Sequence, residues 1–414
     1  MQTAERTILH CDLNGFFASV ECLLRPELRT VPMAVCGDPT MRHGIILAKN
    51  ELAKKYNITT AETIWQAQRK CPQLVLVQPH HDEYYKYSCL VNEIYRRYTD
   101  LVEPFGIDES WLDITGTIHL FGDGKTVADK LREVVEHELG LTISVGVSFN
   151  KIYAKLGSDY KKPNATTVIS QQNYKEIVYP LPVNSLLYVG KASEKVLKLM
   201  GVSTIGQLAM CDREFLGRKL GKMGEQIHDY AAGLDISPVK SAYDVREVKS
   251  VGNSITFRRN LVSSEEIKAG LWAISDTVAT RLRHSGLYCC TVQIMVKDPD
   301  FKTFSRQKAL PHPTHLAKEI CTAATELVLS AYKAGTAVRM LAVTGTGLTT
   351  FGETAQLSLF SAGEDPKREK QEKKEKAMDS IREKYGKTAI NTARSIGGDL
   401  GLNTEKPTEG GFKL

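Results

Sequence analysis

Residues Phe105-Gly106-Ile107-Asp108-Glu109-Ser110-Trp111-Leu112-Asp113-Ile114 set two adjacent carboxylates inside an apolar, aromatic run. Such a run predicts a strand entering or leaving a core. Carboxylates in that setting are costly unless they are paired or bind a metal. A second carboxylate has the same surroundings near the N-terminus, in Ile8-Leu9-His10-Cys11-Asp12-Leu13. Two strands delivering Asp12, Asp108 and Glu109 to one polar end of a sheet would supply what two-metal phosphoryl transfer needs. An acidic pair by itself is more often a turn or a surface ion pair, so the reading rests on its context.

At 414 residues the chain suits two to four domains. No apolar stretch is long enough to cross a bilayer, and Met1-Gln2-Thr3-Ala4-Glu5-Arg6 lacks a signal-peptide pattern. The 9 cysteines are scattered without a C-x-x-C pair, which predicts a reduced, cytoplasmic protein. Charge is unevenly placed: residues 1–180 sum to −2 and residues 181–352 to +7. That distribution suits a polyanion bound mainly by the second half.

Hydrophobic periodicity predicts strands over 7–13, 32–36, 44–48, 74–77 and 142–147, and helices over 16–24, 51–56, 64–70, 83–98 and 126–139. They alternate without a regular βαβ period, so the expected class is α+β. Residues 183–234 read as short helices broken by glycines. Val189-Gly190-Lys191, the helix to Met200 and Gly201-Val202 resemble a helix-hairpin-helix, which turns backbone N–H groups toward a DNA phosphate. Residues 235–246 read as a linker. A further α+β domain follows, with strands at 249–257, 287–297, 300–308 and 338–346 and helices at 264–283 and 314–334. Arg258, Arg259, Lys302, Arg306 and Lys308 give it basic side chains at strand ends and along one strand. From Gly352 the chain turns polar, except for the apolar island Gln356-Leu357-Ser358-Leu359-Phe360 and a short helix near 369–385.

Three stretches resemble the signatures of Y-family translesion DNA polymerases, nearest to the bacterial DNA polymerase IV branch. They are Asp12-Leu13-Asn14-Gly15-Phe16-Phe17-Ala18-Ser19-Val20-Glu21, the run from Gly106 to Asp113, and Asn150 to Asp159 with Lys162-Pro163-Asn164. The resemblance spans roughly residues 5–350 in the right order. It implies a multidomain right hand: palm (1–14 and 77–165), small fingers (15–76), helical thumb (166–234), linker (235–246), little finger (247–352) and flexible tail (353–414). It implies that Asp12, Asp108, Glu109 and the Leu13 carbonyl hold two Mg²⁺ ions. Phe16, Phe17, Lys54 and Lys162 would bind the nucleotide, with Phe17 as a steric gate against a ribose 2′-hydroxyl. DNA would be met by Gly190, Lys191, Arg258, Arg259, Lys302 and Arg306. Gln356, Leu357, Leu359 and Phe360 would dock on a sliding clamp. The expected partners are primer-template DNA, deoxynucleoside triphosphates and the clamp, with no membrane and a monomeric chain. The expected location is the bacterial cytosol, at the nucleoid when in use.

Several residues depart from the family pattern. Asn14 replaces the second aspartate of the first motif, and Glu51 a tyrosine. Lys54 replaces a planar guanidinium with a point charge. Ala165 and Tyr188 replace glycines. The implied function is low-fidelity, template-directed synthesis past damaged bases. The alternatives are a non-catalytic DNA- and clamp-binding relative that regulates polymerase access, favoured had the carboxylate triad been broken, and another palm-type enzyme such as a nucleotidyl cyclase. The glycine hairpins, the basic second half and residues 356–360 argue against the cyclase.

Overall fold

The computed structural model describes residues 6–38, 44–244, 247–332, 335–350, 366–386, 389–390 and 400. The chain divides into two compact units, the first built mainly from Met1–Gly37 and Ile45–Val245, the second mainly from Arg246–Pro407. In chain order the first carries β1 (Ile8–Leu13), α1 (Phe16–Leu24), β2 (Met33–Cys36), β3 (Ile46–Lys49), α2 (Glu51–Lys54), α3 (Ile64–Lys70), β4 (Val75–Val77) and α4 (His81–Arg96). Then come β5 (Val102–Pro104), β6 (Glu109–Asp113), α5 (Ile118–Phe121), α6 (Gly124–Leu139), β7 (Ile143–Ser148), α7 (Lys151–Tyr160), β8 (Thr166–Ile169) and α8 (Tyr174–Val178). Four short helices close it: α9 (Lys191–Leu199), α10 (Ile205–Ala209), α11 (Arg213–Leu220) and α12 (Lys222–Ala231).

Every residue of β1 is buried because the strand lies inside a sheet ordered β5-β6-β1-β7-β8. Leu9, Cys11 and Leu13 pack into a core with Val91, Ile94 and Tyr95 of α4 and Val127, Leu131 and Val135 of α6. Successive strand side chains alternate between faces, so His10 and Asp12 point to the other face. That face is covered by α7, whose Ala154 packs with Ile8 and Trp111. Helix and sheet meet at backbone distance through two glycines. A Cβ on Gly146 would lie 1.9 Å from the Ala154 carbonyl oxygen and 2.4 Å from the Ser158 nitrogen, and one on Gly157 would lie 2.9 Å from the Gly146 Cα.

The sheet β3-β2-β4 forms a smaller cluster with α2 and α3. Helix α3 opens on a capping box between Thr63 and Gln66, which satisfies two otherwise orphaned N–H groups. Between α8 and α9, Tyr188 stands at φ 69, a left-handed conformation that costs an L-residue about 1 kcal/mol and that the usual glycine there would adopt freely. Ala165, by contrast, avoids strain because the turn places its positive φ on Asn164. Residues 235–244 run along the first unit, not as a free linker. Arg6 donates to the Ser237 carbonyl (2.9 Å), the Lys240 N–H to Glu103 (3.0 Å) and the Ala242 N–H to the Asp100 carbonyl (3.0 Å), while Val239 is buried.

The second unit carries β9 (Ser250–Leu261), α13 (Ser264–His284), β10 (Leu287–Lys297), β11 (Thr303–Thr314), α14 (Ala317–Ala331), β12 (Val338–Thr350) and α15 (Pro366–Tyr385). Its antiparallel sheet, ordered β11-β10-β12-β9, buries Val292, Ile294 and Val296 against α13 and α14. Strand β11 runs on through Pro311 and Pro313, beyond the strand the pattern predicts, because an edge strand tolerates residues without N–H donors. The expectation of a flexible tail over 353–414 does not hold for α15. Its Asp379 accepts from Arg283 of α13 (2.6 Å), its Glu375 pairs with the same guanidinium, and Glu375 also accepts the Ala317 N–H at the start of α14 (3.1 Å). Arg283 is only 4% exposed, so this is a buried cluster and not a surface pair.

Replacing Gly146 with alanine forces the α7 backbone away from the sheet. The variant should lose at least about 3 kcal/mol of stability in urea or thermal unfolding, unlike Gly190→Ala, where a Cβ meets open space.

Candidate active site

The sheet register builds the carboxylate cluster directly. Antiparallel pairing sets Asp12 opposite Glu109, and the Leu13 N–H donates to the Asp108 carbonyl (2.9 Å). Asp12 is 4% exposed. The close approach of α7 brings cations to this face. The Lys155 ammonium lies 2.9 Å from Glu109 Oε2 and 3.3 Å from Asp12 Oδ2, and also pairs with Asp159 (3.4 Å). Lys162 lies 2.7 Å from both Asp12 and Asp159.

Burial, together with the Glu109 and Asp12 charges, pushes the Asp108 carboxyl up to about 6. Burial also raises Asp12, although Lys162 and Lys155 oppose it. For Lys155 and Lys162, burial works toward the neutral amine, but the surrounding carboxylates outweigh it and hold both above the ordinary lysine range. Asp159 stays below the usual carboxylate range because Lys155 and Lys162 overcome its burial.

His10 completes the cluster. The Ser158 hydroxyl donates to the Lys155 carbonyl (2.8 Å) and therefore accepts from His10 Nδ1 (2.8 Å). This leaves the buried Nε2 lone pair, which has no hydrogen-bond partner, facing Glu109 Oε2 at 3.3 Å, while that oxygen also meets the Lys155 ammonium. Burial, reinforced by the Lys155 charge, holds this imidazole well below its ordinary pKa. Ligand atoms of His10, Asp12 and Glu109 all lie within 4.8 Å of one another. Facing acceptors of this kind fit a divalent cation.

The other predicted residues are placed as follows. Phe17 stacks on Tyr84 with centroids 4.1 Å apart and planes at 14°. Phe16 is buried in the core, so any nucleotide contact it makes uses its main chain. Lys54 pairs with Glu51 within α2. Asn14, the departure from aspartate, is a clip: its amide donates to Ser144 (2.9 Å) and its oxygen accepts the Asn164 N–H (2.8 Å), fixing the loop that carries Lys162. Gly190 is the N-cap of α9, and Lys191 lines a surface hollow with Glu194, Lys195, Lys198 and Leu199. Arg258 and Arg259 lie on β9, Arg306 on β11 and Lys302 just before it, at opposite edges of the second unit's sheet. Arg259 pairs with Glu266 (2.6 Å). Residues 356–360 lie outside the described residues.

Sequence reasoning missed His10, Lys155, Ser158 and Asp159. The spacing Lys155, Ser158, Asp159 puts them on one face of a helix, and that signal could have found them.

The flanking motifs match known proteins. Residues 11–159 match the impB/mucB/samB family, and residues 248–359 match the C-terminal domain of that family. A DNA polymerase IV from Acetivibrio thermocellus is 47% identical over 399 residues, covering 96% of this chain and 99% of that protein. A DNA polymerase IV 1 from Bacillus subtilis is 34% identical, covering 96% and 94%. A solved Y-family DNA polymerase chimera of Dbh and Dpo4 superposes with a TM-score of 0.74 at 21% identity, covering 83% of this chain and 99% of that one, which establishes likeness of fold.

Lys155→Met leaves Glu109 without its cation and Asp12 and Asp159 with Lys162 alone, and should cost about 3 kcal/mol in metal-free buffer. Added Mg²⁺ should raise the melting temperature more in this variant than in the parent, because a bound cation replaces the missing charge.

Proposed function

The chain belongs to the impB/mucB/samB family of Y-family DNA polymerases, and from that membership we propose the roles of its individual residues in translesion synthesis. It is a template-directed DNA polymerase with the right-hand fold of its family, acting on DNA and deoxynucleoside triphosphates with divalent metal. Nothing favours the non-catalytic alternative. Among the described residues no helix is long and apolar enough to cross a membrane.

The observation that carries the site assignment is the register that sets Asp12 against Glu109, with Asp108 beside it, at one buried end of a sheet. Asp12, Asp108, Glu109 and the Leu13 carbonyl hold two Mg²⁺ ions. When bound, those ions favour ionisation of the primer 3′-hydroxyl and offset the charge of the triphosphate and leaving pyrophosphate. Lys162, now on Asp12, is placed to turn to the triphosphate, and the Asn14 clip holds its loop in position. Lys155 stays behind the carboxylates and limits their mutual repulsion. The Phe17 ring stands where a 2′-hydroxyl would collide. Gly190 and Lys191 at the start of α9 meet a DNA phosphate, and Arg258, Arg259, Lys302 and Arg306 contact the duplex backbone. Gln356, Leu357, Leu359 and Phe360 dock on a sliding clamp, and the chain acts as a monomer at the bacterial nucleoid.

Primer extension with Mg²⁺ tests the triad. Glu109→Gln should abolish deoxynucleotide addition while retaining primer-template binding, and extension at the parent rate would remove Glu109 from the site. Deleting 356–360 should leave distributive synthesis intact and abolish stimulation by the clamp; stimulation that survives the deletion ends the docking assignment.

A further inference from the structure

Glu21 is a carboxylate with 0% exposure on α1, one helical turn after Phe17 and on the same face. No lysine or arginine pairs with it among the described contacts. Its oxygens instead accept from the Tyr84 hydroxyl, from His80 Nδ1 (3.0 and 3.1 Å) and from the His80 N–H (3.4 Å). Burial and the Glu21 charge both push the Tyr84 phenol above its ordinary range, so it remains a donor.

Tyr84 is the ring that backs Phe17. The two lie nearly parallel, and His81 closes a second side with its ring perpendicular to Phe17, centroids 5.9 Å apart. Phe17 and Glu21 on α1 thus grip the two ends of one α4 side chain, the first its face and the second its hydroxyl. A carboxylate buried without a fixed cation is a poor device for stability, since an apolar side chain of similar volume would often serve as well. It is a good device for fixing a position, because charge-assisted hydrogen bonds are short, directional and about twice as strong as neutral ones.

We propose that Glu21 is a positioning residue for sugar selection: it anchors Tyr84, and Tyr84 in turn sets how far the Phe17 ring can retreat from a ribose 2′-hydroxyl. The inference rests on the reading of Phe17 as the gate. With the anchor gone, Tyr84 can shift along the stack, Phe17 gains room behind it, and ribonucleotides enter at little cost to deoxynucleotides. His80 contributes the second donor and keeps the carboxylate from rotating away.

The test is the ratio of kcat/KM for a deoxynucleotide to that for the matching ribonucleotide in single-nucleotide primer extension. Glu21→Met and Tyr84→Phe should each lower the ratio on the order of tenfold, mostly through more efficient ribonucleotide use. Glu21→Gln, which still accepts from Tyr84, should restore most of it. In a Phe17→Ala background, where the gate is already gone, Glu21→Met should produce no further fall. Tyr84→Phe keeps the ring and its packing, so it remains informative if Glu21→Met folds poorly. A ratio within about twofold of the parent in Tyr84→Phe, with or without a lower melting temperature, would make Glu21 a staple between α1 and α4 only and overturn the inference. A ratio unchanged in Phe17→Ala would overturn the gate itself, a failure distinct from the first.

Discussion

The contact of Gly146 with the backbone of α7 is the constraint on which the site depends. Side chains ordinarily hold a helix off the sheet it covers, out of reach of a short serine hydroxyl for the strand beneath. Removing the Cβ on each side, at Gly146 and Gly157, lets the helix settle onto the strand. Only then does Ser158 touch His10 while Lys155 spans from Glu109 to Asp12. The two glycines are as much part of the candidate site as the charges, although neither carries chemistry.

The charges form a balance that is deliberately incomplete. Asp12, Asp108, Glu109 and Asp159 face Lys155 and Lys162, with His10 neutral, so the cluster keeps a negative excess in a largely buried setting. Burial disfavours the charged form of Asp108, and the Glu109 and Asp12 charges add to it, so its carboxyl is pushed up to about 6. A divalent cation would offset that excess, and the two lysines limit the repulsion between the strand ends.

Much of this was legible in the chain. The apolar runs around Asp12 and Asp108-Glu109 located the strands, and the spacing of α1 and α3 matched the observed helices to the residue. What was not legible depended on contacts distant in sequence. The face that α7 presents to β1 follows from a packing distance that no periodicity encodes. The docking of α15 depends on Arg283, 92 residues before Glu375. Asn14 read only as a departure from the family's aspartate, whereas its amide does what a carboxylate cannot, donating to Ser144 while accepting from Asn164. Tyr84 falls within the helix predicted over 83–98, and only the fold shows its hydroxyl on Glu21.

The anchoring of α15 has a mechanical consequence. Arg283 ties a helix near the end of the sequence to α13 across 92 positions of chain, through two carboxylates and with almost no exposure of its own. A load applied to α15 therefore falls on a buried charge cluster rather than on an exposed pair, and α15 cannot be pulled away without stranding a guanidinium in the interior of the second unit.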